Sequence, residues 1–286
     1  MINQLRPELH RYCARLMGSV VEGEDVVQDV LVKAFTLDVT LPDLSALRAW
    51  LFRVAHNRAI DLLRSRSGRI AESIDEVGDI ENVDDSGPLE LLARSDATRV
   101  AISRFLDIPI PQRSVIILKD VLGESLVDIS TLLGMTVDSV KAHLKRGRIR
   151  LRSLSEEFPL SEHPTFRPSE SLMRYVDLFN GGDWDGLRAM LADDVLMKQS
   201  SHPVRKGASD VGKFFGAYSA IPGIYLVPAM LEGREVLAVY VDRNDRVPSY
   251  IMWLGWDGDR VSFIRDYRYV DYIMEDVSLV LFDGRN

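Results

Sequence analysis

The sequence predicts a multidomain protein in which two all-α domains precede an α+β cone. Apolar residues recur at helical spacing through residues 1–66 and 122–152, whereas short alternating segments separated by turn dipeptides follow residue 190. Two intervening stretches lack such a period and are rich in acidic residues or proline. We therefore predict domains at 1–67, 96–155 and 171–286, joined by linkers at 68–95 and 156–170.

Composition narrows the class of protein. With 286 residues, of which 46% are hydrophobic, the chain can bury more than one core. Cys13 is the only cysteine, which excludes an internal disulfide and a cysteine-built metal site and favours a reducing compartment. The sequence has neither an apolar run of about 18 residues nor an N-terminal signal peptide. We expect a soluble cytoplasmic protein with no cofactor, no metal and no membrane contact.

The net charge of −8 is distributed unevenly along the chain. Residues 71–96 hold nine acidic residues and one basic residue, and residues 156–286 hold 21 acidic and 14 basic residues. By contrast, Arg48–Arg69 contains six arginines and one aspartate, and Asp138–Arg152 contains six cations and one aspartate. Two basic patches in an acidic protein predict two separate contacts with nucleic-acid phosphates.

Residues 1–66 are predicted to be helical throughout. A first helix ends near Gly18, a second covers Glu22–Leu37, and a third covers Leu44–Arg66 after a break at Pro42. The second helix has a wide apolar face and, opposite it, a polar stripe. The members of that stripe are Asp25, Gln28, Asp29 and Lys33.

The third helix has an outer stripe that combines an aromatic ring, an amide and several guanidinium groups. Its members are Trp50, Arg53, Asn57, Asp61 and Arg64, with Arg58 alongside. Such a surface suits single-stranded or melted DNA, because bases stack on rings while phosphates pair with cations. The alternative is that Trp50 and Phe52 belong to the core and that the arginines are merely solvated.

The stretch Leu122–Arg152 predicts two helices that meet at a short turn. Ser125 and Thr136 can cap the two helix starts, and Gly134 suits the left-handed position that ends the first helix. One face of the second helix is apolar and the other is cationic. The cationic residues are Lys141, Lys145, Arg146, Arg148, Arg150 and Arg152. The pattern predicts a helix-turn-helix whose second helix enters a DNA major groove; a helical hairpin with a solvated basic face is the alternative.

Three blocks of the sequence carry a family resemblance. They are EDVVQDVLVKAF (Glu24–Phe35), AWLFRVAHNRAIDLLRSR (Ala49–Arg66) and QRSVIILKDVLGESLVDISTLLGMTVDSVKAHLKRGRIRLR (Gln112–Arg152). In order and spacing they resemble regions 2 and 4 of bacterial RNA polymerase sigma factors of the extracytoplasmic-function group, in the sigma-70 family. A generic helix-turn-helix regulator would not carry the first two blocks.

The resemblance implies specific roles in region 2, which would be a helical bundle. The polar stripe of the second helix would dock on the clamp helices of core RNA polymerase through Asp25, Gln28, Asp29 and Lys33. Asn57 would lie by the pocket for a flipped base of the −10 element, and Leu41–Ser45 would form a wall of that pocket.

In region 4 the resemblance implies that the second helix of the helix-turn-helix reads the −35 element. Lys141, Ala142, Lys145 and Arg146 would lie at the groove, and Lys119 would support them with a phosphate contact. The complete set of candidate DNA contacts is Trp50, Arg53, Asn57, Arg58, Arg64, Lys119, Lys141, Ala142, Lys145, Arg146 and Arg148. Ala142, His143 and Lys145 depart from residues frequent in the family, so the resemblance implies no particular −35 sequence.

The acidic linker 68–95 has no expected fold of its own. In the family the corresponding linker threads through polymerase channels, so it would act as an acidic nucleic-acid mimic; a plain spacer is the alternative.

Beyond residue 170, two helices precede five predicted strands, in an order that resembles the SnoaL-like branch of the NTF2-like fold. The predicted strands are Val195–Ser200, Ile224–Leu231, Glu235–Asp242, Ser249–Trp256 and Arg260–Val270.

Cones of this kind often enclose a pocket at the open end, which could hold a small ligand or support acid-base chemistry. The candidate residues are His202, Asp266, Tyr267, Tyr269 and Asp271. No two of them form a recognisable catalytic pair, so the tyrosines are expected in the core and Asp266 is expected to bond a turn.

We therefore predict an alternative sigma factor that recruits core polymerase, recognises −35 and −10 elements, and is not an enzyme. Its fused C-terminal domain would regulate it. The alternative is an NTF2-like enzyme or ligand sensor that is tethered to DNA by the helix-turn-helix and has no polymerase role. The block Glu24–Phe35 argues against that alternative.

Overall fold

The computed structural model describes residues 2–36, 43–67, 101–157, 167–200, 202–275 and 277–282. The chain divides between residues 161 and 162 into two compact units. The predicted acidic linker 68–95, residues 158–166 of the second linker and positions 41 and 42 of the predicted pocket wall lie outside the described residues. The exact domain bounds therefore stay a prediction.

The first unit begins with the helices α1 (Ile2–Met17), α2 (Val20–Thr36) and α3 (Leu44–Ser67). The three predicted helices are thus confirmed, and every helix end that the sequence predicted lies within two residues of the observed end. α1 and α2 approach so closely that a Cβ on Gly23 would lie 2.5 Å from the Ala14 backbone. Phe52 is fully buried, as one interpretation of the sequence expected, and Trp50 is partly buried against the same core.

Residues 101–157 supply the second helical group of this unit. A 3₁₀ turn (Ile102–Asp107) leads into α4 (Ile110–Ile116), which continues as a π-type turn over Ile117–Val121. Then follow α5 (Leu126–Leu133) and α6 (Val137–Glu157). The sequence had predicted the last two helices but not the segment before them.

The caps of the helix-turn-helix are those the sequence predicted. The Ser125 hydroxyl accepts the Asp128 backbone N–H at 3.1 Å, and the Thr136 hydroxyl accepts the Ser139 N–H at 3.1 Å. Gly134 ends α5 in the left-handed region at φ 67°, where a side chain would be strained. These local contacts fix the turn between α5 and α6.

The second unit packs helices against one mixed sheet. Its helices are α7 (Glu170–Asn180), α8 (Trp184–Ala189) and α9 (Ala208–Ser219), and a 3₁₀ turn covers Asp271–Glu275. Its strands are β1 (Leu191–Gln199), β2 (Arg205–Lys206), β3 (Tyr225–Leu231), β4 (Arg234–Tyr240), β5 (Tyr250–Asp257), β6 (Arg260–Asp266) and β7 (Val280–Leu281). Among the described residues the strand order is β2-β1-β6-β5-β4-β3-β7, with β1 and β6 parallel and the other pairs antiparallel.

This arrangement confirms the predicted α+β cone and corrects several bounds. The second of the two helices expected beyond residue 170 ends at Ala189, because the chain enters β1 at Leu191. The strand expected over Arg260–Val270 ends at Asp266, where the side chain of that residue closes a turn by accepting the Arg268 N–H at 2.8 Å. The helix α9 was not predicted; its apolar face packs Phe215 and Tyr218 into the core of the cone.

Candidate polymerase and promoter interfaces

The polar stripe of α2 is partly presented to solvent. Asp25, Asp29 and Lys33 are exposed and four residues apart, so they lie on one face of the helix. Gln28 is half-buried, and its amide donates to the Glu24 carboxylate at 2.6 Å. The candidate polymerase contacts therefore form a continuous face with Gln28 at its edge.

Sequence reasoning missed two large apolar side chains beside this face. Val32 and Phe35 are 63% and 69% exposed. They are three residues apart on α2 and lie off the apolar face that the core uses, so a helical projection could have identified them. Exposed apolar groups bordered by charged residues are typical of protein-binding surfaces.

A groove of about 360 Å³ lies between α2 and α3. Its lining includes Asp29 and Lys33, which the sequence had assigned to polymerase, and Asn57 and Arg58, which it had assigned to DNA. The other lining residues are Val30, Val32, Val54 and Asp61. Arg58 and Asp29 are ion-paired across it, with Nη2 of Arg58 2.7 Å from Oδ2 of Asp29. The predicted polymerase stripe and the predicted −10 residues thus share one surface of the protein.

The other residues of the α3 stripe differ in how far they are exposed to solvent. Arg53, Asn57 and Arg64 are exposed, whereas Trp50 is half-buried against the core, which leaves only part of its ring available for stacking. The Arg53 guanidinium donates to the backbone carbonyl of Thr131 in α5 at 3.2 Å.

On α6 the cationic stripe is likewise not uniformly exposed. Lys141 and Lys145 are exposed, with Nζ of Lys141 3.9 Å from Asp138. Arg146 is half-buried, and its Nη2 lies 3.3 Å from Nδ1 of His143. The half-buried Lys119 belongs to the π-type turn. Lys141 and Lys145 thus give this helix its most accessible positive charge among the candidates on it.

Two candidates of the recognition helix are packed rather than presented. Ala142 is 6% exposed. The Arg148 side chain is 13% exposed and holds the fully buried Asp120 carboxylate with two hydrogen bonds, at 3.0 Å from Nε and 2.6 Å from Nη2. The helical spacing of the cations could not distinguish Arg148 from its neighbours, because its partner lies in the π-type turn 28 residues earlier.

In the cone, Asp266 is buried within a network of hydrogen bonds. Its carboxylate accepts the Tyr218 hydroxyl at 2.7 Å and the Gln199 amide at 3.0 Å, and Tyr250 donates to the Tyr218 oxygen at 3.1 Å. Burial raises the pKa of Asp266, while these donors oppose that shift. The expected bond to a turn is present as well, through the Arg268 N–H.

The other cone candidates do not join this network. Tyr267 is buried, as expected of a core tyrosine, but Tyr269 is 49% exposed and stacks on His202 with ring centroids 4.4 Å apart. Asp271 is exposed and accepts the Tyr272 N–H at 3.0 Å. The partners of Asp266 were missed because they come from β1, α9 and β5, and only the folded sheet places Gln199 opposite Asp266.

Metal clusters and membrane-spanning helices are both absent from the part of the chain that the structure describes. No cluster of three or more histidine, cysteine, aspartate or glutamate side chains could hold a metal ion there. No helix in those residues combines the length and the hydropathy that a membrane span requires.

Comparison with known proteins identifies the family. Sigma-70 region 2 matches residues 1–69 and sigma-70 region 4 matches residues 107–151. The ECF RNA polymerase sigma factor SigL of Mycobacterium tuberculosis is 34% identical over 151 residues, which are 52% of this chain and 83% of SigL. The chain belongs to the ECF RNA polymerase sigma factors.

Similarity to other sigma factors of the group extends beyond region 4. SigG of Mycobacterium tuberculosis is 26% identical over 290 residues, covering 91% of this chain and 78% of SigG. The crystal structure of the Mycobacterium tuberculosis extracytoplasmic function sigma factor SigJ covers 95% of this sigma factor and 96% of that chain, at 20% identity and a TM-score of 0.36.

The predicted function is confirmed by this membership. The protein is an alternative sigma factor, which directs RNA polymerase to specific promoters when transcription is initiated. RNA polymerase and promoter DNA are the partners that the family implies. The alternative of a DNA-tethered regulator without a polymerase role is set aside.

Proposed function

We propose that three surfaces of this sigma factor divide its task between core polymerase, the −10 element and the −35 element. The observation that carries the proposal is the presentation of polar and cationic side chains on α2, α3 and α6, whose opposite faces pack into the core. We also propose that the protein acts in the cytoplasm, because its polymerase partner transcribes there.

The proposed polymerase surface is the exposed face of α2. Asp25, Asp29 and Lys33 supply charge, Gln28 lies at the edge, and the two exposed apolar side chains described above supply area that water solvates poorly. A surface that combines an apolar centre with a charged rim is suited to a stable protein interface.

The proposed −10 surface is the outer stripe of α3. Asn57 is exposed in the groove between α2 and α3, where its amide can form paired hydrogen bonds with the edge of an unpaired base. Arg53, Arg58 and Arg64 supply cations for the strand, and the exposed part of the Trp50 ring supplies a stacking surface.

Replacing Asn57 by alanine should reduce promoter opening while leaving binding to a duplex −35 element intact, because an amide that holds a flipped base acts only after unpairing. Permanganate reactivity of the −10 thymines in the complex with core polymerase measures the opening. The matched control is Ser65→Ala, at an exposed polar residue on the same helix whose hydroxyl donates to the Leu62 carbonyl of that helix. Equal permanganate reactivity in the two variants would refute the assignment of Asn57.

The proposed −35 surface consists of Lys141, Lys145 and Arg146 on α6, with Lys119 as a flanking phosphate contact. Ala142 and Arg148 act on this surface through packing, since one lies against the core and the other holds Asp120. The proposed direct DNA contacts on α6 are therefore fewer than those that the sequence suggested.

Replacing Lys141 or Arg146 by alanine should weaken −35 binding by about 1–3 kcal/mol if the side chain contacts a base, with a loss that depends on the DNA sequence. Titration of polymerase holoenzyme onto a set of −35 variants gives the energies. Ser153→Ala, at an exposed site further along α6, is the control. A loss that is uniform across all −35 variants would reassign the residue to phosphate contact.

We further propose that the C-terminal cone regulates rather than catalyses. Residues 156–286 carry a net charge of −7 and follow a sigma half with two basic patches. The acceptor oxygens of Asp266 are already engaged by Tyr218, Gln199 and a backbone N–H, so this carboxylate is held by structural partners rather than presented as a base. The Tyr175 hydroxyl is buried and makes no hydrogen bond with other described residues, so a small ligand in the cone would find a free polar group there.

Removal of the cone should change promoter-specific transcription. A ligand in the cone would act through a difference in affinity between two states of the protein. The truncation is best placed after Pro168, because α6 continues to Glu157 and α7 begins at Glu170. Run-off transcription with core enzyme compares the truncated and full-length proteins, and equal activity with equal promoter choice would contradict the regulatory proposal.

A further inference from the structure

Several connections of the cone lie together at one edge of its sheet. The parallel strands β1 and β6 both end at this edge. Strand β5 is antiparallel to β4 and to β6, so β4 ends and β5 begins at the same edge. The segments that follow β1, β4 and β6 therefore lie side by side. They are residues 202–204, 241–249 and 267–270, and we call them the mouth of the cone.

The mouth contains a half-buried guanidinium, that of Arg268. Its Cζ lies 5.8 Å from the ring centroid of Tyr218 and 5.8 Å from that of Tyr269. With other residues in the described ranges this guanidinium forms neither a hydrogen bond nor an ion pair, whereas the backbone N–H of Arg268 donates to Asp266. A guanidinium has five N–H donors in a planar fork, which binds a carboxylate through two parallel hydrogen bonds.

The buried carboxylate of Asp266 does not accept a hydrogen bond from this guanidinium. Its oxygens accept instead from the Tyr218 hydroxyl, the Gln199 amide and the Arg268 backbone N–H. Burial raises the pKa of Asp266, and the positive charge of Arg268 is one of the influences that oppose this rise. The guanidinium is thus close enough to act on Asp266, but its N–H donors can still bind another anion.

A buried hydroxyl near Asp266 has no hydrogen-bond partner among the described residues. It belongs to Tyr175 of α7, whose side chain is fully buried. Burial raises the pKa of Tyr175, and the nearby charge of Asp266 adds to that rise. Because an unsatisfied buried polar group costs free energy, a polar ligand atom that reached this hydroxyl would stabilise the cone.

Exposed apolar side chains are concentrated in the mouth. The valines are Val204, Val241 and Val247, which are 54%, 38% and 72% exposed. Tyr269 adds a flat ring, which stacks on His202. Of the large hydrophobic side chains that are exposed in the described part of the second unit, only Leu281 lies outside the mouth. Clustered apolar surface of this kind is typical of a binding site.

We propose that the mouth of the cone binds a small carboxylic acid with an apolar body, whose carboxylate pairs with Arg268 while its body packs on the ring of Tyr269. The guanidinium would favour the anion over a neutral molecule of the same shape. The loop between β4 and β5 adds no net charge, since it carries two arginines and two aspartates. The inference deepens the proposed regulatory function and rests on it only for the effect of the ligand on transcription.

Titration of the full-length protein with benzoate and with benzamide, followed by ligand-observed NMR, tests the class of ligand. The two probes share a ring and a similar shape but differ in charge. Benzoate should bind saturably with a Kd about tenfold lower than that of benzamide, because only the anion can accept two charge-assisted hydrogen bonds from a guanidinium. Equal affinities, or no saturable binding of benzoate up to about 10 mM, would overturn the proposal.

Replacing Arg268 by glutamine should raise the Kd of benzoate about tenfold and leave that of benzamide nearly unchanged. Arg268→Lys should retain part of the preference for benzoate, since the charge is kept and the planar fork is lost. Tyr269→Ala should weaken the binding of both probes alike, because the ring contacts the apolar body of each. Circular dichroism verifies the fold of each variant, and the comparison of the two probes on the original protein decides the matter if Arg268→Gln does not fold.

Arg174→Gln is the matched control, because it removes the same charge from an exposed site on α7. The start of that helix contacts the hairpin between β5 and β6, at the opposite edge of the sheet, where the Ser171 hydroxyl donates to Asp259. The Kd of benzoate should therefore match that of the original protein. An equal loss of benzoate affinity in Arg174→Gln and Arg268→Gln would show that only net charge matters, and would overturn the proposal.

Run-off transcription with and without benzoate separates this inference from the regulatory proposal. Benzoate binding that depends on Arg268, with equal transcription by the full-length and truncated proteins, would uphold the site and contradict regulation by the cone. Loss of the preference for benzoate over benzamide, with a clear effect of truncation on transcription, would contradict the site alone.

Discussion

Replacing Asp120 by alanine is expected to lower the free energy of unfolding of the sigma half by about 3–5 kcal/mol, the range for breaking a buried ion pair from one side. The Asp120 carboxylate has no solvent exposure and receives two charge-assisted hydrogen bonds from Arg148. Without that carboxylate the guanidinium loses its bidentate partner while most of its surface stays out of water. Urea unfolding followed by circular dichroism measures the loss.

The double variant Asp120→Leu with Arg148→Met is the informative comparison. Removal of both charges should recover much of the lost stability, because apolar replacements of a buried pair are often neutral. The double variant should still bind the −35 duplex, since the proposal gives Arg148 a packing role and not a base contact. A single-variant loss below about 1 kcal/mol would show that solvent reaches the pair, as at surface ion pairs.

Acidification from pH 6.5 to about 4 is expected to remove about 3 kcal/mol of stability from the sigma half through His56 alone. Burial lowers the pKa of His56 to about 4, whereas the unfolded chain has the ordinary value near 6.5. Nδ1 of His56 lies 2.8 Å from the Tyr12 hydroxyl, in a setting that suits the neutral ring. Below pH 6.5 the unfolded state therefore binds a proton that the folded state does not.

The direction of this pH effect on stability follows from the lowered pKa of His56. The stabilisation is complete above pH 6.5 and is lost as the pH falls toward 4, where the folded form also becomes protonated. His56→Gln should have lower stability at pH 7.5 but a flatter pH profile between 6.5 and 4, measured by urea unfolding at several pH values. The control is Tyr12→Phe, which keeps His56 and the aromatic ring at position 12 and removes only the hydroxyl that faces His56. A His56→Gln profile as steep as that of the original protein would contradict the assignment.

The helix-turn-helix was predictable from the sequence because its determinants are local. Ser125, Gly134 and Thr136 act within four residues of their own backbone partners, and the structure shows each in the expected role. The same reasoning failed for Arg148, since helical spacing assigns a residue to a face but cannot reveal a partner in another element.

The candidate site in the cone shows the same limit. Asp266 was recognised as a candidate, but Tyr218 lies in a helix that was not predicted, and Gln199 becomes its neighbour only through the parallel pairing of β1 and β6. Trp50 illustrates an intermediate case, because the sequence offered both core and surface interpretations and the side chain is partly buried. Whether such a side chain is buried or exposed depends on contacts that are distant in sequence.

The apolar cluster shared by the two helical groups of the sigma half has a calorimetric consequence. Separation of those groups would transfer buried side chains into water, and exposure of apolar surface raises the heat capacity. Association with core polymerase would bury other apolar groups, including Val32 and Phe35, and so lower the heat capacity. If association also separates these two helical groups, its measured heat-capacity change should be less negative than the area of the polymerase interface alone implies.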